Sequence, residues 1–347
     1  MQITTNERFT NWKEYTLANN QGMQVSFLNY GGIITEMLVP DSDRKFENVV
    51  LGFEDYQDYA VNPAYFGAII GRVAGRVKEG SFTLEGEHYE LEKNDGNHHL
   101  HGGSNGLHQV VWDAIPFEEE TSIGVKLTHT VKDGEGGYPG EVHITVTYRL
   151  NNDNQFSITY DAIANQDTPI SLTNHSYFNL TGNPKNTIAN HSVQIDSKKF
   201  LGLDEELIPT GDFPDVAGTA FDFKLPRLLQ DGMEGSHLQN ILAGNGYDHY
   251  FLFNVKKQPP IYVQETASGR TLSITTNQPG VVLYTGNGLS SQMKLRGNVA
   301  AAPHSGICFE TQGPPASLHD TGLPSIIVPK YVPYQKQTTF TFGTIKS

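Results

Sequence analysis

Residues 142–162 read VHITVTYRLNNDNQFSITYDA, and their spacing decides the fold. Val142, Ile144, Val146, Tyr148 and Leu150 take alternate positions, with His143, Thr145, Thr147 and Arg149 between them. A period of two puts the apolar set on one face of an extended strand and the polar set on the other. Phe156, Ile158, Tyr160 and Ala162 repeat the pattern after Asn151, Asn152, Asp153 and Asn154. Such a cluster suits a tight reversal, so the segment predicts an antiparallel hairpin.

Outward from this hairpin the same grammar recurs. Ser81 to Leu84 and His88 to Leu91 flank Glu85, Gly86 and Glu87, and Phe340 with Phe342 predicts a closing C-terminal strand. Helical stripes are scarce: Leu225 to Gln230 and Asp204 to Leu207 offer a turn or two each, without a sustained i, i+3, i+4, i+7 repeat. That disfavours an α/β fold with crossover helices. The 35 glycines among 347 residues exceed the usual share of about 7% and imply many turns. No linker, charge block, low-complexity tract or internal repeat divides the chain. The expectation is all-β: one large antiparallel β-sandwich domain over residues 1–347, a length at which such folds often stay undivided.

Charge narrows the function. Lys plus Arg number 24 against 38 Asp plus Glu, a net charge of -14 that repels a phosphate backbone and argues against nucleic acid as a partner. Met1 to Arg8 lacks the basic start and apolar centre of a secretory signal, and no run approaches the ~18 apolar residues of a membrane span. A cytoplasmic protein without membrane contact is expected. Cys308 is the sole cysteine, which excludes an intrachain disulfide and a cysteine-based zinc cluster. Flanked by Ile307 and Phe309, it reads as a small buried apolar residue with no catalytic role.

Chemistry concentrates in a few stretches. LTNHSYFNL, residues 172–180, sets the His175 imidazole among polar groups and aromatic rings, and GICFETQ, residues 306–312, delivers Glu310 at the end of an apolar run. Together they offer one acid and one base in surroundings suited to a sugar. His98, His99 and His101 precede Gly102 and Gly103; alternation lets His99 and His101 share a side but not His98, and no carboxylate completes a zinc spacing, so no metal site is expected. His98 and His99 read as surface histidines of a polar loop. His101 reads as functional, because paired glycines let backbone approach a ligand closely. GRVAGR, residues 71–76, lacks the spacing of a nucleotide loop. One of its arginines suits sugar hydroxyls and the other a structural ion pair, and spacing does not choose between Arg72 and Arg76. Asp248, between Tyr247 and His249, either shapes a turn or accepts ligand hydroxyls, while Tyr177 and Tyr250 offer flat faces for a pyranose ring.

Seven segments taken in order, GRVAGR (71–76), LHGG (100–103), DGEGGYPG (133–140), TNHSYFNL (173–180), GYDHYF (246–251), PGVVLYTGN (279–287) and GICFETQ (306–312), resemble those of the aldose 1-epimerases, the galactose mutarotases. The resemblance spans nearly the whole chain. It implies a mutarotase-like β-supersandwich that interconverts the α and β anomers of free aldoses such as galactose and glucose, with no cofactor and no metal. It also implies His175 as catalytic acid, Glu310 as base, and His101, Arg76 and Asp248 as residues holding the sugar, which prefers Arg76 over Arg72; His101 is further expected to assist catalysis at the ring oxygen or anomeric region. A small-molecule aldose is the expected partner, and the expected assembly is a monomer or homodimer. Two departures bear on sugar choice: Gly75 stands where the family often has Asn, and Val282 where some members have Gln. Three rivals remain at this stage. A glycoside hydrolase would need a second carboxylate, for which Asp248 is the candidate. A phosphosugar epimerase would need a denser cationic pocket. A non-catalytic carbohydrate-binding protein would have no use for both His175 and Glu310.

Overall fold

A computed structural model describes residues 1–254 and 259–345 of the chain. The expected hairpin is present: Val142–Asn151 pairs antiparallel with Gln155–Ala164, Leu150 lying opposite Phe156. Its reversal is built by Asn151, whose Oδ1 accepts from the backbone N–H of Asp153 at 2.9 Å and of Gln155 at 3.1 Å. Asn154 supplies the left-handed residue. Val142, Ile144, Val146, Tyr148 and Leu150 all point into the core, as the alternation requires. A second hairpin pairs Ser81–Leu84 with Glu87–Glu90, and Glu85 and Gly86 between them both take positive φ.

The first hairpin lies within a nine-stranded sheet. Its spatial order is Asp113–Glu118, Ser122–Val131, Val142–Asn151, Gln155–Ala164, Tyr334–Thr344, Arg270–Thr276, Ile261–Gln264, Ser192–Ile195 and Arg227–Leu228. The C-terminal strand carrying Phe340 and Phe342 therefore closes the sheet from its middle, joining strands from the two halves of the chain. Two five-stranded sheets form the facing layer. One runs in sequence order from Gln2–Phe9 through Trp12–Ala18, Gln24–Leu28 and Ile34–Pro40 to Phe46–Asn48. It packs on the large sheet through Phe27, whose ring meets Tyr148 edge-on at 4.8 Å. The other packs Phe178 against Phe340 at 5.4 Å and Phe342 at 6.4 Å. Both share one continuous core with the nine-stranded sheet. The result is the antiparallel sandwich that the sequence predicts.

Helix is confined to short pieces, Gln230–Met233 and Leu238–Leu242 among them. The expected turn at 225–230 is displaced: Arg227–Leu228 joins the edge of the large sheet, and helix begins only at Gln230. Pro226 explains the shift, since the residue before a proline is disfavoured in helical backbone. At 204–208 a single turn forms, with Asp204 Oδ1 accepting from the N–H groups of Glu206 and Ile208. Among the described residues no helix is long and apolar enough to cross a membrane.

Candidate active site

The second five-stranded sheet is the floor of the site. Its order is Tyr177–Phe178, Ile307–Gln312, Gly280–Tyr284, Asp248–Phe253 and Ser197–Phe200. Phe178, Ile307, Phe309, Val281, Leu283 and Phe251 face the sandwich core. Strand alternation must then send Tyr177, Cys308, Glu310, Val282, Tyr284, Asp248 and Tyr250 to the opposite face. Register fixes how they meet. Tyr177 lies opposite Cys308, Cys308 opposite Tyr284 and Tyr284 opposite Asp248, making one row across four strands. In the next row Glu310 lies opposite Val282, and Val282 opposite Tyr250. Directly opposed residues sit about 4.5–5.5 Å apart at Cα, so a carboxylate from each of two strands reaches one cavity. That cavity is about 280 Å³ and is lined by Glu310, Asp248, His175, His101, Arg76 and the tyrosines 65, 177, 250 and 284. Burial on both faces of the sheet explains why GICFETQ reads as an apolar run with one carboxylate in it.

Loops from the rest of the sandwich supply the walls. His175 is pinned by its own backbone: its N–H donates to Ala68 O at 2.9 Å, and its carbonyl accepts from Gly67 N–H at 3.0 Å. The Asn174 side-chain amide donates to Gly67 O at 2.7 Å and tightens the same contact. The imidazole then has Nδ1 3.5 Å from Cys308 Sγ and Nε2 3.5 Å from Glu310 Oε1. Across the cavity, His101 adopts a left-handed backbone followed by Gly102 and Gly103, also at positive φ, so the short strand His99–Leu100 ends and the ring turns inward. Gly75 N–H donates to His101 Nδ1 at 3.0 Å. Arg76 donates from Nε to Asp95 Oδ2 at 2.7 Å and from Nη1 to Asp248 Oδ2 at 3.3 Å.

These positions set the protonation states. Burial, and next the charge of Asp248, push the Glu310 carboxyl well above the usual carboxylate range, with Arg76 opposing. Burial lowers His175 to about 4, and it takes His101 well below the ordinary imidazole value with help from His175 and Arg76. Burial also works against the charge of Arg76, but Asp248 and Asp95 outweigh it and hold the guanidinium above its usual pKa. Both shifts disfavour separated charge, so burial favours the neutral pair, with the shared proton on the Glu310 carboxyl, over the ion pair. His101 is a neutral imidazole whose tautomer is set: Nδ1 accepts from Gly75, so Nε2 carries the hydrogen and faces the cavity.

The structure brings His101, Tyr177, His175, Arg76, Asp248 and Glu310 to one cavity. Arg72 is elsewhere, buried beneath the DGEGGYPG loop, where it donates to Pro139 O at 2.7 Å and Gly140 O at 2.9 Å. His98 and His99 depart from expectation: both are buried rather than on the surface. His99 is held between Glu92 O at 2.7 Å and the Tyr138 hydroxyl at 2.8 Å, and His98 Nδ1 accepts from Glu79 N–H at 3.0 Å. His99 thus serves the Tyr138 side of the wall instead of sharing the cavity with His101. Cys308 is buried as expected, yet it touches the His175 imidazole. Sequence reasoning missed Asp95, Tyr65 and Tyr284, whose relevance depends on register and loop geometry rather than on a motif. The donor atoms of His101, His175 and Glu310 do lie within 4.8 Å of one another, a spacing that invites a cation. The His101 tautomer works against that use, because Nε2 carries hydrogen and has no free lone pair.

Known proteins share this chain's plan. The aldose 1-epimerase family model matches residues 13–341. The galactose mutarotase of Sus scrofa is 39% identical over 95% of this chain and 94% of its own length. The maltose epimerase of Levilactobacillus brevis is 31% identical, again over 95% and 94%. The crystal structure of galactose 1-epimerase from Lactobacillus acidophilus superposes with a TM-score of 0.88 at 31% identity, covering 99% of both chains. With the family model spanning almost the full sandwich and every strand that lines the cavity, the chain belongs to the aldose 1-epimerase family.

Proposed function

We propose that this protein is a mutarotase, interconverting the α and β anomers of free aldoses such as D-galactose and D-glucose, with Glu310 as base and His175 as acid. The observation that carries this is the 3.5 Å approach of His175 Nε2 to Glu310 Oε1 in a cavity whose far side presents Arg76 and Asp248. An aldopyranose supplies hydrogen-bond partners for the charged form of the pair. Its O1–H donates to the carboxylate and its ring oxygen accepts from Nε2–H, so binding favours transfer of the shared proton from Glu310 to His175. The carboxylate then removes the O1 proton while the imidazolium protonates the ring oxygen. The C1–ring oxygen bond breaks as the C1=O1 double bond forms, and the pair returns to its resting state of protonated carboxyl and neutral imidazole. Rotation about C1–C2 exposes the other face of the aldehyde, and the same transfers in reverse close the ring. His101 donates a neutral hydrogen bond from Nε2 to the ring-oxygen or anomeric region, and Arg76 and Asp248 hold hydroxyls. Tyr177, beneath His175 at a ring separation of 5.0 Å, supports the platform.

A core that runs from Tyr15 to Phe342 supports one catalytic unit over the whole chain. The rival enzymes fare less well against the geometry. Asp248 is ion-paired to Arg76 and so is a poor second carboxylate for glycoside hydrolysis. Arg76 already answers two carboxylates, which leaves little charge for a phosphate. Polarimetry on freshly dissolved α-D-galactose and α-D-glucose tests the proposal. Decay of rotation well above the buffer rate is expected, and decay at the buffer rate with several aldoses would refute it.

A further inference from the structure

Tyr65 is the cavity residue whose placement the site assignments leave unexplained. Its backbone is left-handed at φ 55°, a conformation disfavoured for a bulky side chain and often retained where function demands it. The loop that carries it is over-determined. Asn62 clamps it, with Oδ1 accepting from Phe66 N–H at 2.8 Å and Nδ2 donating to Phe66 O at 3.1 Å. Two residues on, Gly67 and Ala68 hydrogen-bond both sides of the His175 peptide backbone. The loop and His175 therefore move as one piece, and the side chain lands where that piece directs it. The Tyr65 ring lies roughly parallel to the His175 imidazole at 5.9 Å, and it meets His101 edge-on at 4.8 Å and His108 edge-on at 4.9 Å. It lines the cavity, and its hydroxyl makes no hydrogen bond among the described residues.

We propose that Tyr65 is a positioning residue: its ring is the wall that keeps water from the His175 imidazole and holds that ring against Glu310. The role goes beyond the acid and base assignment but rests on it. The other titratable or polar groups facing His175 are Glu310 and Cys308 from the floor, Tyr177 and Tyr284 beside them, and His101 and His108 opposite. Glu310, Cys308, Tyr177 and Tyr284 keep their places when Tyr65 changes, and the same labelled-histidine spectra follow His101 and His108, the two imidazoles that share the Tyr65 ring, so the shift at His175 is read against theirs. Burial is the leading cause of the depressed His175 value, and admitting water relaxes it towards the ordinary imidazole range.

The test is NMR titration of isotopically labelled histidine in Tyr65→Ala and Tyr65→Phe, alongside the pH dependence of kcat/KM by polarimetry. Tyr65→Ala is expected to raise the His175 midpoint by about one pH unit or more and to move the acid limb of kcat/KM upward with it. Tyr65→Phe keeps the ring, so it is expected to stay within about twofold of wild type in rate with an unmoved midpoint. Should the alanine variant fold poorly, Tyr65→Gly removes the ring and suits the left-handed backbone, and the same upward shift is expected. An unchanged midpoint in the alanine or glycine variant would overturn the proposal. So would a phenylalanine variant as damaged as alanine, which would place the hydroxyl on the substrate instead. Because the titration is read without sugar, it stands or falls independently of whether the protein is a mutarotase.

Discussion

Replacing Glu310 by Gln is expected to disable the enzyme and stabilise the protein at once. The residue is 3% exposed, and its carboxyl lies 3.5 Å from His175 Nε2, an imidazole whose own burial disfavours charge. Loss of a positioned base typically costs about 10²- to 10⁴-fold, or roughly 3–5 kcal/mol of transition-state stabilisation. The stability effect follows from the raised folded-state pKa. Below the unfolded carboxyl value of ~4.3 both states are protonated, so the carboxyl exacts no penalty. As pH rises from there, the unfolded chain ionises while the folded one retains its proton, and folding loses up to ~1.4 kcal/mol per pH unit until the folded pKa is passed. Glutamine has nearly the same shape and no charge to lose. Denaturant titrations of wild type and variant between pH 4 and pH 8 should show near-equal stability at the acid end and a growing advantage for the variant above it. A gap that does not grow with pH would refute the claim that burial strains this carboxyl. Activity within tenfold of wild type would refute its role as base.

Three further outcomes follow from the geometry. Arg76→Lys should raise KM about tenfold or more with a smaller change in kcat, because one ammonium cannot reproduce the guanidinium's simultaneous bonds to Asp95 and Asp248; steady-state polarimetry separates the two constants. Gly75→Ala should destabilise by roughly 1–2 kcal/mol in thermal or denaturant melts, since φ is 84° there and a Cβ would lie 2.9 Å from Pro315 Cγ. Gly75→Asn should be milder on the backbone, as asparagine tolerates that conformation better. Acid stability should show His191, which is fully buried with its Nε2 accepting from Leu180 N–H at 2.9 Å and its pKa lowered to about 4. The unfolded chain binds this proton near pH 6.5 and the folded chain only near 4, so its contribution is present above about 6.5 and falls by up to ~3 kcal/mol as pH drops through that window. A His191→Gln variant should flatten that slope in denaturation midpoints measured at pH 4.5 and 7.

The fold was legible because its information is local. Alternation at 142–150 and 156–162 states both strand and face, and the asparagine cluster between them states the reversal. Packing of two five-stranded sheets onto one of nine was not legible, because it depends on Tyr334–Thr344 entering the middle of the large sheet, a pairing at long sequence separation. The same division holds in the site. His175 and Glu310 announce themselves as a titratable group in an otherwise apolar or aromatic run. His98 and His99 are buried rather than exposed because contacts remote in sequence or set by loop geometry hold them: Tyr138 and the Glu92 carbonyl take both nitrogens of His99, and Glu79 N–H takes Nδ1 of His98.

Cys308 shows most sharply what the linear chain conceals. Its apolar neighbours correctly predict burial, and burial usually means inertness. On this strand burial has two sides: Ile307 and Phe309 face the sandwich core, while Cys308 faces outward with Glu310. The same alternation that hides the thiol from solvent therefore aims it at the site, and the Tyr177 to Cys308 register sets it beneath His175. Burial pushes the thiol pKa well above its ordinary value, so sulfur stays protonated and uncharged next to the imidazole proposed as the acid. A serine there would be a stronger hydrogen-bond partner for Nδ1, and an ionised group would hold His175 permanently cationic. A small, weakly polar neighbour leaves the proton free to move between His175 and Glu310, the mobility that the proposed anomer exchange requires.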